Sequence, residues 1–218
     1  MGKMLSFQDD GSEPPVAGLT RRGLSFLALA ALAACSVAPP PLVLSGDDRT
    51  AVAQIAAYLN GLQHFTAKFS QAGPDGYSEG YVWLQRPGKL RVEYVRPAPK
   101  LMLANHGRLL LVDRTTQATT SLRLSRTPLD ILLAPQIMLS GAVTVTALER
   151  LSGGLQLSLV KTDAPGQGTL ILRFTADPLA LAGLTVIRDG QTTAFNLTDL
   201  NRDTLIDAAR FEFNTPAP

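Results

Sequence analysis

The sequence predicts a mainly β protein in which one large, curved antiparallel sheet carries its few helices on one side. Beyond residue 64 the chain divides into short strand-like segments, and glycine, proline, asparagine or aspartate usually separates them, as in sheets built from hairpins. Only two segments after residue 46 carry helix signals. With 218 residues, 45% of them hydrophobic and 17% charged, the chain is long enough for one domain with a sizeable core.

Residues 1–34 have the organisation of an export signal. The longest apolar run, Leu24–Ala34, follows a basic pair and is too short to span a membrane, but it has the size of a signal-peptide core. Thr20-Arg21-Arg22 fits a twin-arginine signal, whereas two arginines also fit the general secretory route. Both routes stay open, and the polar stretch before residue 19 leaves the translation start open.

Cys35 is the only cysteine and ends the sequence Leu-Ala-Ala-Cys, which has the form of a bacterial lipobox. Lipidation there would make residues 35–47, with three consecutive prolines, a tether of about 20 Å. The alternative is cleavage after an Ala-x-Ala sequence such as Ala31-Leu32-Ala33, which would release a soluble protein. In either case a lone cysteine excludes an internal disulfide. Residues 48–218 are then the folded domain.

The first half of this domain is predicted to be one helix followed by six strands. Asp47 or Asp48 can cap a helix that runs to Asn60 and stops at Gly61. Its apolar stripe consists of Ile55, Leu59 and Leu62. The strands are Phe65–Ser70, Gly80–Gln85, Lys89–Val95, Leu101–Asn105, Arg108–Asp113 and Ala118–Leu124.

The second half is predicted to be a short helix and five or six further strands. Pro128–Leu133 fits a helix capped by Thr127, because proline is favoured at the first helical position. Gly153-Gly154 and Asp189-Gly190 are hairpin turn signals. The strands are Val143–Arg150, Leu155–Lys161, Thr169–Thr175, Leu184–Asp189 and Thr192–Leu200, with Phe211–Phe213 closing the set.

The corner Arg86-Pro87-Gly88 joins two of these strands. After it, Leu90, Val92 and Tyr94 alternate with charged residues, so this strand is expected to bury one face. Arg86 has the buried parity. A guanidinium that points toward an apolar interior needs carbonyl or carboxylate partners. The alternative is that Arg86 is an exposed residue of the corner.

The corner belongs to a longer ordered series of motifs. The series begins with Leu62–Gln71, which reads Leu-Gln-His-Phe-Thr-Ala-Lys-Phe-Ser-Gln. It continues with Glu79-Gly80, with the corner extended from Arg86 to Arg91, with Tyr94 and with Thr127-Pro128-Leu129. It ends with Ile206–Phe213, which reads Ile-Asp-Ala-Ala-Arg-Phe-Glu-Phe. In this order, from Asp48 to Phe213, it resembles the LolA family of periplasmic outer-membrane lipoprotein carriers. The His106-Gly107 turn departs from the family, which usually has Asp-Gly or a similar pair there.

The residues alone leave open whether the curved sheet is filled or hollow, since strand positions favour Leu, Val and Ala and only 6% of residues are aromatic. The resemblance implies the hollow alternative, a half-barrel of about eleven strands covered by lid helices that enclose an apolar cavity for acyl chains. The residues expected to line it are Phe69, Val82, Leu84, Leu90, Val92, Tyr94, Ile55, Leu59, Leu129 and Leu132.

The resemblance also implies a role for Arg86. In the family, the arginine at the matching position is bonded to backbone carbonyls of the lid when the cavity is empty. Opening the lid to admit lipid gives up these contacts and lowers the net affinity. Arg86 is therefore expected to be the lid latch.

The function implied is that of a periplasmic carrier, a monomer that moves acylated lipoproteins from the inner to the outer membrane. The partners implied are an inner-membrane lipoprotein-releasing ABC transporter and an outer-membrane receptor or the membrane itself. Cys35 leaves an alternative open, because the LolB receptor, a membrane-anchored acceptor of similar architecture, itself begins with a lipidated cysteine.

Signals for catalysis are weak. His64 and His106 lack metal-ligand spacing, and the chain has no nucleophile elbow and no phosphate-binding loop. The formal net charge of +2 is too small to indicate nucleic-acid binding. We therefore expect no enzyme activity, no metal and no cofactor.

Overall fold

The computed structural model describes residues 42–213, which form one open, eleven-stranded antiparallel sheet and two α-helices. The predicted fold class is confirmed. The predicted export signal and Cys35 lie outside the described residues. In chain order the elements are α1 (Gly46–Gly61), β1 (His64–Gly73), β2 (Gly76–Gln85), β3 (Lys89–Arg96), β4 (Lys100–Asn105), β5 (Arg108–Asp113), β6 (Thr119–Arg123), α2 (Leu129–Leu133), β7 (Val143–Leu151), β8 (Gly154–Lys161), β9 (Thr169–Ala176), β10 (Leu179–Arg188) and β11 (Gln191–Asn201).

Two meanders make up the sheet. Strands β1 to β6 follow one another in space, as do β7 to β11, and the pairing of β1 with β11 joins the two halves. Strands β6 and β7 are therefore the two edges. Residues 124–142, which contain α2, run from one edge to the other, and the short helix is thereby held over the sheet.

The turns at His106-Gly107 and Asp189-Gly190 have the residues that the sequence predicts, whereas the predicted Gly153-Gly154 turn is shifted by one residue, because Gly154 already pairs with Leu151 and Ser152-Gly153 form the turn. His106 and Gly107 have φ angles of 48° and 71°, and Asp189 and Gly190 have φ angles of 52° and 74°. Two consecutive positive φ angles match the right-handed twist of the flanking strands, and glycine tolerates this backbone region best. These turns fix the registers of β4 with β5 and of β10 with β11.

Helix α1 begins earlier than predicted. Ser45, rather than Asp47 or Asp48, is its N-cap: the Ser45 hydroxyl accepts a hydrogen bond from the Asp48 backbone N–H, and the Asp48 carboxylate accepts from the Ser45 backbone N–H. This reciprocal capping box satisfies two backbone donors that the first turn leaves free. Asp48 thus has a capping role three residues inside the helix.

The predicted cap of α2 is also wrong. The Thr127 hydroxyl donates to the Leu124 carbonyl, and none of the described backbone N–H groups of the helix donates to it. Pro128 occupies the N-cap position and makes no side-chain cap bond. A tight 3₁₀ turn, Leu124–Arg126, precedes it and holds Thr127 in place.

Helix α1 fills the concave face of the second half of the sheet. The Tyr58 ring packs edge-on against Phe174 of β9 at 6.0 Å between centroids, and the Leu181 N–H of β10 donates to the Tyr58 hydroxyl. At the start of the helix, Asp48 pairs with Arg150 of β7. These contacts fix α1 against β7, β9 and β10.

The predicted closing strand Phe211–Phe213 is wrong, because residues Ala208–Phe211 form a 3₁₀ helix. Phe211 is fully buried on the convex face, where it packs with Leu101, Leu103 and Val112. The Arg91 guanidinium donates to the Arg210 carbonyl, which ties this C-terminal segment to β3. Of the two phenylalanines that suggested a strand, Phe211 and Phe213, only Phe211 is buried and holds the segment on the sheet. Phe213 is exposed.

Candidate functional site

An apolar cavity of about 320 Å³ lies on the concave face beneath α2. Strands β1 to β5 form one wall, and β10 and β11 form the other. The wall is apolar because alternate residues of each strand point to this face while the residues between them point to the convex face. Within residues 42–213, none of the helices is both long and apolar enough to cross a bilayer.

The structure brings eight of the ten residues expected at the cavity to its wall. Ile55 and Leu59 do not line it. They are 0% and 1% exposed and belong to the packed core, because α1 covers the second half of the sheet while the cavity lies under α2. The eight lining residues are Phe69, Val82, Leu84, Leu90, Val92, Tyr94, Leu129 and Leu132.

Sequence reasoning missed the wall from β10 and β11, with Leu184, Val186, Phe195 and Leu197. These residues reach the cavity because Phe195 of β11 pairs with Gln71 of β1, although the two are far apart in sequence. Alternation along β11 would have identified the face, but nothing in the sequence specified β1 as its neighbour.

Three aromatic rings form the centre of the wall. The Phe69 ring lies 5.2 Å from the Tyr94 ring, nearly perpendicular to it, and 5.6 Å from the Phe195 ring. Gly80 leaves room for this cluster: a β-carbon there would stand 1.9 Å from the Glu93 carbonyl oxygen and 3.0 Å from the Phe69 ring. The Glu79-Gly80 motif therefore has a steric reason.

The Tyr94 hydroxyl donates to Gln71 Oε1 at 2.7 Å. Burial, together with the charge of Asp75, raises the pKa of Tyr94 above its ordinary value of 10.0, so the phenol stays protonated and remains a donor.

Arg86 is 7% exposed and binds the carbonyls at the ends of both helices. Its Nη2 donates to Leu59 O and, at 2.9 Å, to Leu62 O, and its Nε also donates to Leu62 O at 3.2 Å. Its Nη1 lies 3.5 Å from Ala134 O, just after α2. The guanidinium is thus placed where the free carbonyls of two helix ends carry partial negative charge.

Burial lowers the pKa of Arg86, yet a guanidinium starts from so high a value that it stays charged in proteins. The backbone of the same corner adds two further contacts: the Arg86 N–H donates to Gln63 O, and the Gly88 N–H donates to Leu133 O, both at 2.9 Å. The corner between β2 and β3 therefore holds the C-terminal ends of α1 and α2 together.

The segment around α2 has two other polar attachments. Asn60 of α1 exchanges two hydrogen bonds of 2.9 Å with the backbone of Ile137. On the far side, Lys161 of β8 donates to the Ser125 carbonyl at 2.7 Å and pairs with the Asp130 carboxylate at 3.2 Å. Residues 124–142, which contain α2, are called the lid from here on. The lid is therefore bound to α1, to the corner and to β8.

The two histidines lie away from the cavity. His64 begins β1, and His106 is in an exposed turn, 3.9 Å from Glu212. Among residues 42–213, no three His, Cys, Asp or Glu side chains are close enough together to hold a metal ion. The cavity residues are therefore suited to binding a ligand by burying its apolar surface.

Comparison with known proteins gives a consistent family match. The family model described as "Outer membrane lipoprotein carrier protein LolA" matches residues 60–214. An outer-membrane lipoprotein carrier protein of Chromohalobacter salexigens is 28% identical over 190 residues, which cover 80% of this chain and 88% of that protein. A protein of the same name from Pseudomonas paraeruginosa is 29% identical over 78% of this chain and 86% of its own length. A solved LolA superfamily protein from Nitrosomonas europaea aligns with a TM-score of 0.43 at 12% identity, covering 74% of this chain and 97% of that one.

Proposed function

The chain belongs to the LolA family of outer membrane lipoprotein carrier proteins, and from this premise we propose that it carries lipoproteins by binding their acyl chains in the cavity beneath α2. The observation that carries the proposal is the lidded apolar cavity, whose lid is bound to the sheet by Arg86. The eight lining side chains named above are hydrocarbon or aromatic, so an acyl chain that enters the cavity exchanges water for apolar contacts along most of its length.

The cavity volume indicates that the lid must move. About 320 Å³ lies at the low end of the range of about 300–1,000 Å³ for small-molecule sites, which is little room for a diacylated cysteine. Helix α2 has only five residues, whereas α1 has sixteen and packs through the fully buried Ile55 and Leu59. We propose that α2 and the residues after it swing away while α1 stays on the sheet.

Release requires that the bound state is not too stable. Each buried methylene contributes about 0.8 kcal/mol, so two enclosed acyl chains would dissociate very slowly from a preformed cavity. Contacts of the closed lid compete with the ligand, because they must break before the cavity opens. Arg86 reaches the moving segment through the contact of its Nη1 with the Ala134 carbonyl, and since a charge-assisted hydrogen bond contributes at most roughly 1.5–3 kcal/mol, this latch would weaken ligand binding without abolishing it.

The route follows from the family. The protein would accept lipoproteins from an inner-membrane lipoprotein-releasing ABC transporter and deliver them to an outer-membrane receptor or to the membrane itself. It would act in the periplasm, as a non-enzymatic monomer without cofactors.

A membrane-anchored acceptor is the second candidate, favoured by the Leu-Ala-Ala-Cys sequence that ends at Cys35. Mass spectrometry of the mature N-terminus separates the two. A diacylated Cys35 would contradict a freely diffusing carrier, and cleavage before residue 35 without lipid would contradict the anchored acceptor.

The cavity itself is tested with a bulky side chain. Val92→Trp places an indole in the cavity and should abolish binding of a fluorescent diacylated lipopeptide. Val95→Trp is the matched control, because Val95 lies on the same strand and is 53% exposed. Unchanged binding by Val92→Trp, with the fold intact by circular dichroism, would mean that the ligand binds elsewhere.

A further inference from the structure

The cavity is closed and apolar at the end that lies beside the Arg86 corner. Leu84, Leu90 and Leu133 line this end and are between 2% and 6% exposed. Above them, the Gly88 N–H bonds to the Leu133 carbonyl and seals the gap between the corner and α2. Among the described residues, the side chains that line this end are apolar, and Arg86 behind them donates to the carbonyls of Leu59 and Leu62.

The opposite end, beside the β1–β2 turn, is polar and open. Gln71, Tyr94 and Thr193 line it and are only half-buried, and Asp75 is exposed in the turn. A second pocket of about 290 Å³ continues outward from this end, and Gln71, Asp75 and Tyr94 line both spaces. The cavity therefore has a mouth, and the mouth has polar walls.

The mouth offers hydrogen-bond donors that have no partner in the protein. The Tyr94 hydroxyl donates to Gln71 Oε1, so this oxygen of the side-chain amide already has a partner. The NH₂ group of the same amide has no hydrogen-bond partner among residues 42–213. Ser78 lies directly opposite Gln71 in β2 and lines the outer pocket. It is 9% exposed, and its hydroxyl also lacks a partner in the described part of the chain.

The charges at the mouth do not select an ion. The Lys100 ammonium lies 3.7 Å from the Asp75 carboxylate, so the two offset each other. The Asp113 carboxylate accepts the N–H groups of Thr115 and Thr116, which lower its pKa. The carboxylates of Asp75 and Asp113 disfavour an anion, and the donors of Gln71 and Ser78 fit a neutral ligand group that accepts hydrogen bonds.

We propose, resting on the proposed function, that the cavity recognises an acyl ester in one direction: the methyl end lies beneath α2 and the ester carbonyl lies at Gln71 and Ser78. The distance fits. From Leu84 to Ser78 the β2 strand has six residue steps, about 20 Å, which accommodates an extended acyl chain along the strands. Gln71 and Ser78 would then determine the preference for acyl esters over alkyl ethers of the same chain length.

The direction is tested with methyl stearate that carries a nitroxide at carbon 5 or at carbon 16, added to ¹⁵N-labelled protein. The carbon-5 probe should broaden the amide resonances of Gln71 and Ser78, and the carbon-16 probe those of Leu84 and Leu90. The reversed pattern, or equal broadening by both probes, would overturn the proposal while leaving acyl binding intact. If neither probe broadens any cavity resonance, the proposed function fails with it.

The ester preference is tested with two glyceryl-cysteine peptides of equal chain length, one with two palmitoyl esters and one with two hexadecyl ethers. The ester peptide should bind wild-type protein about fivefold more tightly, as expected for one or two neutral hydrogen bonds. Gln71→Leu combined with Ser78→Ala should reduce the ratio to about one, because both donors are removed.

Ser70→Ala is the matched control, since Ser70 adjoins Gln71 in β1 but has the opposite parity. It should keep the wild-type ratio. Equal binding of the two peptides by the wild type, or an unchanged ratio in the double variant, would refute ester recognition.

Discussion

Asn60 and Ile137 form a reciprocal clamp between α1 and the segment that follows α2. The Asn60 Nδ2 donates to the Ile137 carbonyl and its Oδ1 accepts from the Ile137 N–H, both at 2.9 Å, so the amide pairs with the backbone as a neighbouring strand would. A third bond, from Nδ2 to the Ala56 carbonyl, fixes the side chain on α1. Arg86, by contrast, makes its short contacts with α1 and only a 3.5 Å contact with Ala134. If α2 moves alone, the clamp is a major contact that must break.

Asn60→Ala should therefore favour the open lid. Losing two hydrogen bonds of roughly 1 kcal/mol each, partly replaced by water, is expected to raise the rate of acyl-ligand uptake about tenfold. Stopped-flow fluorescence with a diacylated lipopeptide measures this rate.

Gln63→Ala is the control for the clamp, because the Gln63 amide donates to the Asn60 carbonyl but makes no bond to Ile137. Its uptake rate should equal that of the wild type. A lower melting temperature without faster uptake in Asn60→Ala would show that the clamp supports only the fold.

Arg86→Leu should leave uptake of lipoprotein intact and impair its release. Without the guanidinium, the closed lid loses its contact with the Ala134 carbonyl, and the closed state competes less with the ligand. Release is measured as transfer of a bound lipoprotein from the purified variant to acceptor liposomes.

Arg108→Leu is the matched control for this latch. Arg108 is exposed at the start of β5 and bonds to the Ser121 hydroxyl, so its loss leaves α1 and α2 in place. Normal transfer by Arg86→Leu, at normal ligand occupancy, would rule out the latch role.

Gly80→Ala should destabilise the domain by about 1–3 kcal/mol, because the added carbon would overlap the Glu93 carbonyl and the strands would have to separate. The displaced β3 would also disturb the contact between Phe69 and Tyr94. Urea unfolding measures the loss. Gly61→Ala is the control, since a β-carbon there meets nothing within 4 Å, and equal stability of the two variants would contradict the steric argument.

The strands were predictable because apolar residues alternate along them, and this also gave the β2 and β3 walls of the cavity. Alternation specifies a face, but it does not specify a neighbour, so the wall from β10 and β11 became visible only through the pairing of β1 with β11.

The helix ends were less predictable for a related reason. Ser45, Asp47 and Asp48 are all acceptable caps by residue type, and the choice depends on which of them leaves the helical backbone conformation. Phe211 likewise carries a strand-like apolar pattern, but the burial of its ring against β4 and β5 outweighs that local preference.

The capping box predicts a pH dependence of stability. The Ser45 hydroxyl and then Arg150 lower the pKa of Asp48 below its ordinary value of 3.8. A carboxyl whose pKa is lower in the folded state stabilises the fold above the unfolded pKa and loses this contribution as pH falls through the folded pKa. Asp48→Asn should therefore be less stable than the wild type at pH 7, and the difference should shrink below about pH 4.

Urea unfolding between pH 2 and pH 7 measures this difference. Asp47→Asn is the control, because Asp47 also lies in the first turn but makes no side-chain hydrogen bond among the described residues. Ser45→Ala should cost about 1 kcal/mol at pH 7, the usual effect of removing an N-cap. A stability difference for Asp48→Asn that is the same at pH 2.5 and pH 7 would show that the Asp48 charge has no part in it.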